Sequence, residues 1–99
     1  MKIKSLHSWD VSNEEAINIQ HTLRENLILH DEGISDKISI IAGADISYSK
    51  GDNLFFAAVV LLEFPSMEVI EETSFTERVN FPYIPGLLTF REGPSLLNA

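Results

Sequence analysis

Nine consecutive residues, Leu54-Phe55-Phe56-Ala57-Ala58-Val59-Val60-Leu61-Leu62, carry no polar side chain. A membrane-spanning helix needs about 20 apolar residues, so the run is too short to cross a bilayer and has the length of a strand. Alternate residues of a strand point to opposite faces. A strand apolar at every position is therefore expected to be central, with a covering layer on each side.

The flanking sequence supplies neighbours for that strand. Residues 38–48 alternate, with Ile38, Ile40, Ala42, Ala44, Ile46 and Tyr48 on one face and Ser39, Ile41, Gly43, Asp45 and Ser47 on a mixed face. Ser49-Lys50-Gly51-Asp52-Asn53 is a turn cluster, and Phe64-Pro65-Ser66 turns the chain again. Residues 69–79 hold Glu71, Glu72, Thr73, Thr76 and Glu77, the charge expected of a solvent-facing edge strand. Three strands joined by short turns make an antiparallel meander.

A helix is expected on each side of the meander, giving an α/β chain. Ser12-Asn13-Glu14-Glu15 has the form of a capping box. Ala16, Ile19, Leu23 and Leu27 then make an apolar stripe, with Gly33 suited to the C-terminal stop. That stripe is expected to lie on the sheet. After the third strand, Asn80-Phe81-Pro82-Tyr83-Ile84-Pro85-Gly86 is a stiff loop, and the chain turns helical near Gly86. Gly93-Pro94 reads as a break, with proline opening a new helix that has run one turn at Ala99. A chain that ends there, after placing a two-sided strand in its core, is expected to be an incomplete domain.

Composition narrows the function. The 99 residues are 44% hydrophobic and 22% charged, the balance of one globular domain. Seven Lys and Arg against fifteen Asp and Glu give a net charge of −8, which repels phosphate backbones and anionic membranes. The absence of cysteine excludes disulfides, thiolate catalysis and Cys-based zinc sites. Met1 to Ser8 lacks the apolar block of a signal peptide, so a cytoplasmic location is expected.

Two acids stand out. Asp45 sits mid-strand, where an ionised carboxylate is costly without a partner. Glu92 ends a helical turn whose other members, Leu87, Leu88 and Phe90, are apolar. Carboxylates arriving from a strand and a helix can share Mg²⁺, which asks for only one or two of them. Such an ion activates water and stabilises a leaving oxygen on phosphorus. The same spacing also fits a surface Asp45 and a solvated Glu92.

The second feature is the loop. Pro82 and Pro85 fix their own φ and push Phe81 and Ile84 out of the helical region, so Tyr83 is displayed on a backbone with little freedom. A ring held that way can enter a base stack, and Gly86 lets a planar base approach the backbone. The alternative is that Tyr83 packs under the start of the helix.

Ile41-Ala42-Gly43-Ala44-Asp45-Ile46-Ser47-Tyr48 together with Pro82-Tyr83-Ile84-Pro85-Gly86-Leu87-Leu88-Thr89-Phe90-Arg91-Glu92 closely resembles the two N-terminal motifs of the endonuclease V family. The resemblance implies the N-terminal portion of a ribonuclease H-like fold and a nuclease that cuts 3′ to deoxyinosine in DNA, with inosine in RNA a substrate of some members. Mg²⁺ is the implied cofactor, with Mn²⁺ a substitute. Carried over by position, Asp45 and Glu92 match catalytic metal carboxylates. Pro82, Tyr83, Ile84 and Pro85 match a strand-separating wedge, and Gly86 and Leu87 match the start of the pocket for the flipped hypoxanthine.

The family's further metal-binding aspartate and its later His or Asp have no counterpart in these 99 residues. His7, His21 and His30 do not replace them: His7 precedes the first helix and the other two are expected on it. The basic residues are scattered rather than clustered. The resemblance thus implies a chain that is inactive alone and, with half a fold, self-associating. A competing reading from charge is a small acidic α+β interaction module without catalysis, its Tyr83 loop binding a protein.

Overall fold

The apolar run forms the middle strand of a three-stranded antiparallel sheet, as its composition requires. The computed structural model describes residues 2–99. The elements run α1 (Asn13–Arg24), a 3-10 turn (Ser35–Lys37), β1 (Ile40–Tyr48), β2 (Leu54–Glu63), β3 (Val69–Arg78) and α2 (Leu88–Asn98). The strand order is β1-β2-β3. Gly51, at φ +102°, supplies the left-handed backbone in the hairpin between β1 and β2, which the Ser49 N–H closes on the Leu54 carbonyl at 2.9 Å. No helix among the described residues is long and apolar enough to cross a membrane.

Register assigns the faces. Tyr48 opposes Phe55 and Ile46 opposes Ala57 between β1 and β2, while Phe55 opposes Glu77 and Ala57 opposes Phe75 between β2 and β3. Helix α2 covers this face, and Phe55 and Ala57 are each 1% exposed beneath it. The expectation of a layer on both sides is corrected. On the other face, Phe56 is 43% exposed and Ala58 is exposed, with no helix over them among the described residues. The Cα radius of gyration, 15.6 Å, exceeds the ~13 Å of a compact chain of this length, as a sheet covered on one side should.

Helix α1 begins as expected, with the Ser12 hydroxyl accepting the Glu15 N–H at 3.2 Å. It ends earlier than expected. Rather than continuing to Gly33, it stops at Arg24, because the Asn26 amide side chain takes the Thr22 carbonyl and the Asn26 N–H turns back to Leu23. Leu27 and His30 consequently lie outside the helix, and Leu27 is exposed. The stripe does not rest on the sheet. Ala16 is fully buried against Leu87 and Phe90, with Ile19, Ile84, Phe81, Trp9 and Val11 around them.

The expected break at Gly93-Pro94 is also corrected, since α2 runs unbroken to Asn98 with Pro94 inside it. Proline removes the N–H that would bond the Phe90 carbonyl. Tertiary contacts carry the helix through: Gly93 lies against the Trp9 ring, and the buried Ser95 hydroxyl donates to Glu77 on β3 at 2.6 Å.

Candidate nucleic-acid interface

The segment between β3 and α2 is pinned at several points. Phe81 stacks on Phe90 with ring centroids 6.1 Å apart, and Ile84 packs against the Ala16–Leu87–Phe90 cluster. The Leu87 N–H closes a turn on the Ile84 carbonyl at 3.0 Å. That turn needs Gly86, whose φ of +87° is a conformation that L side chains rarely adopt. From α1, the Gln20 amide donates to the Gly86 carbonyl at 2.7 Å.

With Phe81, Ile84 and Leu87 drawn inward, Tyr83 is turned outward and is 67% exposed. The ring does not pack under the helix start. Pro82, Pro85 and Gly86 are exposed beside it, and Arg91 of α2 sets its guanidinium 5.7 Å from the ring centroid. Leu87 differs from its neighbours. The whole residue is 3% exposed, so it supports the loop from the core.

The two carboxylates arise on different elements. Asp45 is exposed on β1, where its Oδ1 accepts the Ile46 N–H at 2.8 Å. Its register partner is Ala58, which places Asp45 on the sheet face away from α2. Glu92 is half-buried on α2. Both are hard oxygen donors of the kind Mg²⁺ takes, and neither is in an ion pair among the described residues. No group of three or more His, Asp or Glu side chains that could hold a metal occurs among the described residues. Asp45 faces away from the helix that carries Glu92, so the described residues by themselves do not close a metal centre around the two.

The structure adds residues that the sequence pattern left scattered. Arg78 and Arg91 line one cleft of about 410 Å³ with Asn80, Phe81 and Pro82, beside the Tyr83 loop. Arg78 is steadied there by donating to the Asp52 carbonyl at 2.9 Å. The alternation of β3 and the position of Arg91 beside Glu92 gave no sign that both arginines line one cleft, together with Asp10 and Glu77, because that depends on how α2 crosses the sheet. Gln20 carried no local signal at all; its partner lies 66 residues away.

Known proteins resemble this chain in sequence and fold. Endonuclease V from Dehalococcoides mccartyi is 42% identical over 99 residues, which are 100% of this chain and 44% of that protein. The crystal structure of endonuclease V from Bacillus subtilis superposes with a TM-score of 0.82 at 26% identity, covering 100% of this chain and 43% of that one. A Ciona intestinalis endonuclease V, solved with a 23-mer DNA containing an inosine followed by a ribo-adenosine, gives a TM-score of 0.74 at 28% identity over 89% of this chain and 39% of that one. The chain thus spans less than half the length of these relatives, and its helix, three-stranded meander and helix are part of a ribonuclease H-like fold. The family model described as endonuclease V matches residues 21–99, and the chain belongs to the endonuclease V family.

Proposed function

We propose that this chain is the N-terminal half of a ribonuclease H-like DNA repair endonuclease that cleaves the phosphodiester backbone 3′ to deoxyinosine. The observation that carries the reading is Tyr83, held out from a loop that Phe81, Ile84 and Leu87 anchor to the core, in a chain of the endonuclease V family. The Ciona intestinalis relative bound to inosine-containing DNA supports that substrate class.

Each element of the loop has a task in that reaction. Tyr83 fills the gap left when the damaged nucleotide leaves the stack, and its fixed backbone lowers the ordering cost of doing so. The exposed backbone around Gly86, free of a Cβ, lies against the extruded base. Arg78 offers a guanidinium beside the loop where a phosphate would approach, in a cleft that Asp10 and Glu77 also line. Asp45 and Glu92 would hold Mg²⁺, or Mn²⁺ in its place. The ion's chemistry is to lower the pKa of an attacking water and to neutralise charge on the leaving oxygen.

Asp45 and Glu92 lie on different elements, and the remaining ligands would come from the rest of the longer protein. The 99 residues alone are therefore expected to show no nicking. In the full-length protein, Asp45→Ala should abolish Mg²⁺-dependent nicking of an inosine-containing duplex while leaving its binding within a few-fold. Undiminished nicking by that variant would refute the metal role of Asp45.

A further inference from the structure

Arg91 occupies a position that neither metal binding nor the wedge itself requires. Its guanidinium carbon lies 5.1 Å from the ring centroid of Phe55, 5.7 Å from that of Tyr83 and 5.9 Å from that of Tyr48. All three fall within the ~6 Å range in which a cation is attracted to an aromatic face. Two of these rings belong to the sheet. Phe55 is 1% exposed in the central strand, and Tyr48, its register partner on β1, lies 5.8 Å from it ring to ring. The third ring is the exposed Tyr83.

Nothing else among the described residues holds this guanidinium. Arg91 forms no ion pair there, and its buried Nε finds no hydrogen-bond acceptor. A buried donor without an acceptor is uncommon, and here the ring faces take the place of a carboxylate. Arginine suits such a site because its guanidinium is planar and weakly hydrated, whereas a lysine ammonium is a compact, strongly hydrated charge.

We propose that Arg91 is a positioning residue that tethers the Tyr83 ring to the sheet through cation–π contacts, presetting the ring for entry into a base stack. The inference rests on the wedge reading of Tyr83. It extends that reading by giving the ring's orientation a source outside the loop. An untethered ring would have to lose its side-chain freedom on insertion, and the tether removes part of that cost beforehand.

The test uses the full-length protein and an inosine-containing duplex with 2-aminopurine beside the lesion, whose fluorescence rises when the stack opens. Binding is measured without divalent metal, so that cleavage does not interfere, and thermal melts by circular dichroism confirm folding. Tyr83→Ala should abolish the fluorescence rise. Arg91→Met, which keeps the aliphatic stem, should lower the unstacking equilibrium roughly three- to tenfold, and Arg91→Lys should restore part of it. The Mg²⁺ dependence of nicking should be the same for Arg91→Met as for the unsubstituted protein.

Full unstacking by both Arg91 variants would overturn the tether while leaving the wedge intact. So would a shifted Mg²⁺ dependence, since it shows Arg91 acting elsewhere. If Tyr83→Ala itself unstacks DNA normally, the wedge reading fails and the tether with it.

Discussion

The junction between α1, the Tyr83 loop and α2 and the open face of the sheet are both rich in apolar residues, yet only the first is a core. At the junction, Ala16, Leu87 and Phe90 are buried and Phe81, Ile84 and Trp9 close around them. On the open face, Phe56 and Ala58 are exposed, with Ile41, Val60 and Leu62 half-buried. The difference lies in coverage, since a strand presents two faces and α2 lies on one of them. Apolar content alone therefore does not locate the core of this molecule. Close packing is concentrated under the loop that presents Tyr83.

This contrast is easiest to break with a matched pair of substitutions. Phe90→Ala should destabilise the chain by about 3–5 kcal/mol in urea denaturation, because it empties the centre of the junction. Phe56→Ser should cost well under about 1 kcal/mol, because the ring is already 43% exposed. The second variant should instead reduce self-association measured by light scattering, the behaviour expected of an uncovered apolar face. Equal destabilisation by the two would contradict the distinction.

A smaller effect sharpens the description of the junction. A Cβ added at Gly93 would lie 2.6 Å from Cη2 of Trp9, too close for either group to stay in place. Gly93→Ala is expected to cost about 1–3 kcal/mol and to shift Trp9 fluorescence to longer wavelength as the indole is displaced. An unchanged emission maximum would show that the indole does not seat against α2.

The smallest effect lies away from both regions. The Ser35 hydroxyl, with the backbone N–H groups of Ser35, Gly33 and Ile34, holds the Asp31 carboxyl below its ordinary pKa. A depressed folded-state pKa means that this contribution is fully present above the unfolded value. It is lost as pH falls through the folded one. Acidification below about pH 4 should loosen residues 31–35, and Asp31→Asn should flatten that local change in amide exchange while leaving the junction protected.

The strands were the most legible part of the fold. The alternation before Tyr48 and the unbroken apolar run after Asn53 fixed β1 and β2 to within two residues, because a period of two needs no knowledge of the partner. Helix ends were less legible. Leu27 continues the spacing of Ala16, Ile19 and Leu23, but hydrogen bonds by Asn26 end α1 before it. Gly93-Pro94 has the local character of a break, and the contact with Trp9, more than eighty residues earlier, keeps α2 whole.

The candidate site divides in the same way. Pro82, Pro85 and Gly86 restrict the backbone through their own covalent geometry, so the stiffness of the Tyr83 loop was present in the residue order. That Asp45 lies on the mixed face of its strand was equally a matter of alternation. Which face α2 would cover was not, and neither was the gathering of Arg91 with Tyr48, Phe55 and Tyr83 or the reach of Gln20 to Gly86. Local sterics and periodicity act over a few residues and leave a readable pattern. The side of the sheet on which a helix settles is chosen by contacts between distant segments, and only the folded chain records that choice.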